Sequence, residues 1–143
     1  MVKQLLIGLV LISFMGCADD DERINNPNLL NIQFNIELNL TFPEYSQLNF
    51  AGNAIYIGGQ GIGNDGIIVA NTGSGFVAWD ASDPNRLPSN CTRLQPSFPT
   101  ASSSCNPSYT YSLVTGQPLE EDLQYPLLNY RVEEGNNSVF VSN

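Results

Sequence analysis

Ile32-Gln33-Phe34-Asn35-Ile36-Glu37-Leu38-Asn39-Leu40 alternates without a break, with apolar side chains at even positions and polar ones at odd positions. Period two over nine residues is the pattern of a half-buried strand. A helix would need its apolar face at spacings of three and four. Outward from this stretch, residues 41–52 are irregular and contain Pro43 and Gly52. Ala54-Ile55-Tyr56-Ile57 reads as a short strand ended by Gly58-Gly59. Asn64-Asp65-Gly66 turns into Ile67-Ile68-Val69-Ala70, and Asn71-Thr72-Gly73-Ser74-Gly75 turns into Phe76-Val77-Ala78-Trp79. Asp-Gly and Gly-x-Gly between β-branched and aromatic runs mark hairpins. Alternation resumes over 109–113. Leu127 to Glu133 and Ser138 to Val141 then flank Glu134-Gly135-Asn136-Asn137 as a terminal hairpin. No long helical window interrupts the series, so the expected fold is all-β, a small antiparallel sandwich or barrel.

Residues 80–108 break the rhythm. They hold five prolines and both Cys91 and Cys105, with little periodicity. A connection this long in a compact domain is usually functional or stapled. The hydrophobic fraction of 42% supports a core and argues against disorder. Beyond residue 16 the chain carries four arginines, no lysine and all fourteen acids. Nucleic acid and anionic headgroups are poor partners for such a field. The chain has no histidine, which removes Ser-His-Asp and Cys-His nucleophiles and imidazole metal ligands.

Lys3 precedes an apolar run from Leu5 to Met15, and Gly16-Cys17 follows. A positive start, a short apolar core and a small residue before the cut describe a secretory signal. The run is too short to cross a bilayer, which needs about 20 apolar residues. The cysteine directly after the small residue resembles the lipobox of bacterial lipoproteins. That resemblance implies cleavage at Gly16–Cys17, acylation of Cys17 and export with the lipid held in a membrane. Asp19-Asp20-Asp21-Glu22 next to the anchor resembles the surface-export signal of Bacteroidota lipoproteins, implying the outer membrane or cell surface. The expected organisation is a signal peptide over 1–16, an acidic and Asn-rich tether over 17–31 and one β domain over 32–143.

The glycines from Gly58 to Gly66 lead into a strand, whereas a phosphate-cradling loop needs a following helix. Asp80/Asp83 and Glu120/Glu121 are the carboxylate pairs available to a hydrolase. Asp65, Asp80 and Asp83 could offer oxygen ligands to calcium, though no Asp-x-Asp-x-Asp-Gly loop is present. Trp79 and Tyr109 are candidate binding aromatics, with Trp79 at the end of an apolar strand and better suited to the core.

The order of elements resembles the Rieske iron–sulfur domain, a small antiparallel β domain. In that family two loops at one end carry Cys-x-His and Cys-x-x-His around a two-iron cluster. Here Gly66 to Val69 and Gly75 to Trp79 resemble the strands before the first loop. Tyr111-Ser112-Leu113-Val114-Thr115-Gly116-Gln117-Pro118 resembles the segment after the second, and the terminal hairpin resembles the closing strands. The similarity covers about half of the chain. Asp83 and Asn85 fall at the first ligand pair, and Ser104 and Pro107 near the second. Cys91 and Cys105 match the disulfide that ties the two loops in some members, with a one-residue shift. The resemblance thus implies a degenerate Rieske-like lipoprotein that lacks its cluster and keeps its staple. The expected role is non-catalytic, in binding or envelope structure, with no cofactor, with the membrane reached through lipid and with a protein or glycan partner unnamed. The alternative is electron transfer through a two-iron cluster.

Overall fold

The computed structural model describes residues 25–143, and the expected signal peptide, Cys17 and the acidic run lie outside them. Among the described residues, nine strands form two antiparallel sheets. The larger contains β1 (Asn35–Asn39), β2 (Asn53–Ile57), β3 (Ile67–Asn71), β4 (Phe76–Asp80), β8 (Asn129–Gly135) and β9 (Ser138–Ser142), in the order β1-β9-β8-β4-β3-β2. The smaller contains β5 (Gln95–Ser97), β6 (Thr100–Ser102) and β7 (Thr110–Ser112), in that order. A 3-10 helix, Ser46–Asn49, sits in the irregular stretch after β1. The all-β expectation is borne out.

The larger sheet curls because β8 serves two neighbours. Its start pairs with β4 through Ala78–Tyr130 and Trp79–Asn129. The rest pairs with β9, from Arg131–Ser142 to Gly135–Ser138. Inside the curl, Leu38, Leu48, Ile67, Val69, Tyr130, Val139 and Val141 form one core. Phe34, Ile36, Leu38 and Leu40 of the opening alternation face it, and Leu38 is fully buried there. Phe34 meets the Tyr130 ring edge-on at 4.8 Å.

β3 explains why its sequence is apolar throughout rather than alternating. Ile67 and Val69 point into the first core, while Ile68 and Ala70 point to the opposite face. There they meet Trp79, Leu94, Tyr111 and Leu113, the second core, under the smaller sheet. A strand buried on both faces reads as a continuous hydrophobic run. Each large side chain buried fully contributes roughly 1.5–3 kcal/mol. Gly116 lies against the second core at φ +75°, and a Cβ there would sit 2.6 Å from the Trp79 ring. Both the backbone angle and the close approach demand glycine.

Two boundaries differ from the sequence expectation. Residues 25–31, assigned to the tether, lie on the domain: Leu29 is buried in the first core, and Asn26, Asn28 and Leu30 hydrogen-bond to it. Asparagine side chains reaching backbone carbonyls give an irregular segment an anchorage that periodicity does not reveal. The segment 80–108 is also more regular than expected. It contains β5 and β6, whose three residues each are too short to display a period. Pro96 is tolerated because β5 is an edge strand.

Candidate functional site

The end of β4 begins the region of interest. Asp80 N donates to Leu128 O, and Ala81 N to Gly66 O. The chain then leaves the sheet, runs through Asp83 to Arg86 and returns beside itself. Asp83 N donates to Thr92 O, Leu94 N donates to Ala81 O, and Ser82 bridges Arg93. This first loop meets a second, residues 103–109, between β6 and β7. Cys91 and Cys105 are joined by a disulfide, with a Cα separation of 4.8 Å. Ser104 N donates to Cys91 O at 3.1 Å. Arg86 donates to Pro107 O and lies over the Tyr109 ring at 4.0 Å. The expected pairing of Cys91 with Cys105 is present, and the two loops form one stapled surface.

Two carboxylates are buried beneath that surface, and each takes a tyrosine hydroxyl. Asp80 is fully buried. Its Oδ2 accepts from Tyr130 OH at 2.5 Å, from Asn64 N at 2.8 Å and from Asn64 Nδ2 at 2.9 Å. Its Oδ1 accepts from Ser82 N at 2.8 Å. Asp83 is also fully buried. Its Oδ1 accepts from Tyr111 OH at 2.5 Å and from Asn85 N at 3.0 Å. Arg86 Nε stands 3.4 Å from Asp83 Oδ2. Burial pushes the phenols of Tyr111 and Tyr130 well above their ordinary titration range, and the neighbouring carboxylates push further. Desolvation disfavours the charged phenolate, and a nearby negative charge disfavours it again.

Asn85 spends its whole amide. Nδ2 donates to Tyr111 OH at 2.9 Å and to Tyr125 O at 2.7 Å. Oδ1 accepts from Gln124 N at 3.1 Å and Tyr125 N at 2.9 Å. Asn85 therefore fastens the segment before β8 to the first loop. Asp83 and Asn85, at ligand-like places in the sequence, are here committed to internal bonds. Ser104 and Pro107 lie exposed in the second loop and contribute backbone groups to the loop–loop contact.

The fit of this region to a two-iron cluster can be tested on its donors. Such a cluster favours four thiolate or imidazole ligands. The chain has no histidine, and its two loop cysteines are bonded to each other. Asp83 and Asn85 face Tyr111, Arg86 and the 124–125 backbone. These residues do not fit the group.

The other candidates are placed as follows. Asp80 and Asp83 are both fully buried and so not open to a substrate, and Asp83 Oδ2 has the Arg86 guanidinium at 3.4 Å but no hydrogen-bond partner among the described residues. Glu120, of the second carboxylate pair, is half-buried and accepts from Thr110 N at 3.1 Å. Asp65 pairs with Arg93 at 3.6 Å. Among the described residues, no group of three or more His, Cys, Asp or Glu side chains converges on a metal-sized site. Trp79 is in the core, and its Nε1 donates to Leu113 O at 2.9 Å. Tyr111 and Tyr130 were missed as partners of the acids. The one available signal was their place at inward positions of expected strands.

The staple carries a direct prediction. It closes a sequence separation of 14, and loops of that size stabilise by roughly 3 kcal/mol in the chain-entropy model. Changing Cys91 and Cys105 together to alanine should lower the urea midpoint accordingly. Unchanged unfolding in the double variant would show that the loop–loop hydrogen bonds and the Arg86 contacts hold the surface alone.

No protein-family model matches this chain, and no curated protein matches it. Among solved structures it is similar to a chain described as a complex of reduced oxygenase and oxidized ferredoxin in carbazole 1,9a-dioxygenase. Identity is 16%, the TM-score is 0.49, and the alignment covers 79% of this chain and 94% of that one.

Proposed function

We infer that this chain is an exported, lipid-anchored envelope protein whose degenerate Rieske-like domain binds or supports a partner without catalysing a reaction. One observation carries the reading. The places that resemble iron–sulfur ligands are taken by Asp83 and Asn85, and both are consumed by bonds that hold the loops together. A surface stapled by Cys91–Cys105 and braced from beneath is preorganised, and preorganised loops favour binding because less freedom is lost on association. The export and anchoring parts rest on Lys3, the apolar run and Gly16-Cys17. The fold alone names no ligand.

Measurements on protein from its native host test the reading. Iron and acid-labile sulfide should be absent, with no visible absorption, and thermal melts with and without a strong chelator should coincide. A bound cluster would instead establish the electron-transfer alternative. Cys17→Ser should accumulate as an unprocessed precursor without lipid label. Normal processing and labelling of that variant would overturn the anchor.

A further inference from the structure

A cleft of about 490 Å³ opens beside the first loop, lined by two segments, Asn25 to Pro27 and Gln124 to Tyr125. Both segments are fastened to one dipeptide. Asn26 Nδ2 and Asn28 Nδ2 donate to the Pro84 carbonyl oxygen, at 2.8 and 2.9 Å. The adjacent Asn85 amide holds Gln124 N, Tyr125 N and Tyr125 O. The two segments lie 58 and 40 residues from that dipeptide, so the cleft is a product of the fold rather than of one local turn. Leu29, buried in the first core, secures the first segment from behind.

The fastenings leave lining side chains unspent. Asn85 grips Gln124 and Tyr125 through their main-chain atoms alone. Among the described residues, no hydrogen bond engages the side chains of Asn25, Gln124 or Tyr125. Two carboxamides, each with two donors and an acceptor, thus border the cleft beside a half-buried aromatic. Among the described residues that line it, none is charged. This lining disfavours three ligand classes. An anion would meet no cation there and a chain of net charge −9. An extended peptide needs a strand edge, and both segments lie outside the strands. A wholly apolar ligand would cover amides without pairing them. A sugar answers the whole set. Its hydroxyls both donate and accept, as carboxamides do, and its C–H faces pack on an aromatic ring whose phenol stays wet.

We propose that this cleft binds a neutral glycan, with Tyr125 as the stacking platform and Asn25 and Gln124 reading the hydroxyls. This rests on the reading of the domain as a non-catalytic binding module and names its ligand class. The volume falls within the roughly 300–1,000 Å³ of small-molecule clefts, which gives room for a short saccharide. Because Pro84 and Asn85 pin both segments, little backbone freedom is lost when the ligand enters, and weak polar contacts suffice for binding.

The test uses the full-length protein from its native host, so that everything ahead of Asn25 is in place, held in a detergent without a sugar headgroup. The probes are immobilised neutral oligosaccharides ending in glucose, galactose, mannose or N-acetylglucosamine, with sialylated and sulfated ones as the anionic arm. At least one neutral probe should bind, and by about tenfold or more over its anionic counterpart. Tyr125→Ala should weaken that binding by about tenfold or more, and Gln124→Ala by about threefold or more. Gln124 is exposed, so its variant keeps the test open should Tyr125→Ala fail to fold. Tyr125→Phe keeps the ring and should stay within about threefold of the parent. Ser74→Ala, on the turn at the far end of the β3–β4 ladder, should bind as the parent does. Failure of every neutral probe, preference for the anionic arm, or undiminished binding by Gln124→Ala and Tyr125→Ala overturns the glycan cleft and leaves the non-catalytic reading standing. Mass spectrometry of the recovered probe examines that reading separately. A shortened probe overturns it, while a loss in Tyr125→Ala still places the binding at the cleft.

Discussion

Asp80→Ala is expected to destabilise the domain by on the order of 4 kcal/mol. The substitution removes an acceptor shared by Tyr130 OH, Asn64 N, Asn64 Nδ2 and Ser82 N. The carboxylate and the Tyr130 hydroxyl lie in the interior, so water does not readily replace the missing partner. A buried donor left alone costs about 1–3 kcal/mol, and relaxation recovers part of the sum. A domain of this size has about 5–15 kcal/mol in total, so the variant should sit near the edge of folding. Tyr130→Phe is the gentler companion. It removes one donor and leaves Asp80 three others, so the loss should be about 1–2 kcal/mol. Urea unfolding followed by Trp79 fluorescence measures both. An Asp80→Ala loss no larger than that of Tyr130→Phe would show that the Asn64 and Ser82 contacts contribute little.

The contrast between these residues and the strands shows what sequence carries. Ile32 to Leu40 announces itself because a strand with one buried face must alternate. Ile67 to Ala70 announces itself as a run bounded by glycine turns. Both are local consequences of where a side chain points. Asp80 and Tyr130 are 50 residues apart, and Asp83 and Tyr111 are 28 apart. Nothing local links an acid on a loop to a phenol on a distant strand. In sequence, Asp80 and Asp83 offer themselves as a carboxylate pair or as oxygen ligands, and their burial closes both uses. Cys91 and Cys105 were legible through the resemblance, since in a chain without histidine few other fates remain for two loop cysteines. Asn85 was placed but misread in weight: at a ligand-like place it looks like a loss, while in the fold it holds the 124–125 backbone. Residues 25–31, within the expected tether over 17–31, set no period because they are rich in asparagine and contain proline, and their anchorage depends on groups far along the chain.

Alkaline pH should unfold the domain through Tyr111 and Tyr130 acting as a pair. Their folded-state titration lies above the ordinary phenol value because burial and the facing carboxylates disfavour the phenolate. In the unfolded chain both phenols release their protons near pH 10. Below that value both states hold the protons, and the stabilisation is fully present. Above it the unfolded state binds two fewer protons than the native state, so stability falls as pH rises. The slope approaches about 2.7 kcal/mol per pH unit for the pair, since each group contributes about 1.36. Between pH 10 and pH 12 the loss is roughly 4–5 kcal/mol, comparable with the whole stability of many domains. Denaturant unfolding at half-unit steps from pH 9 to pH 12 reads the slope directly. Tyr111→Phe and Tyr130→Phe each remove one of the two phenols and should each reduce the slope by about half. For each variant the effect at neutral pH runs opposite to the effect on the alkaline slope, which keeps the result from being a mere stability change. Each loses a hydrogen bond below pH 9 and so starts less stable, yet declines more gently above pH 10. A slope that neither substitution alters would place the alkaline sensitivity outside the two buried tyrosine–aspartate pairs.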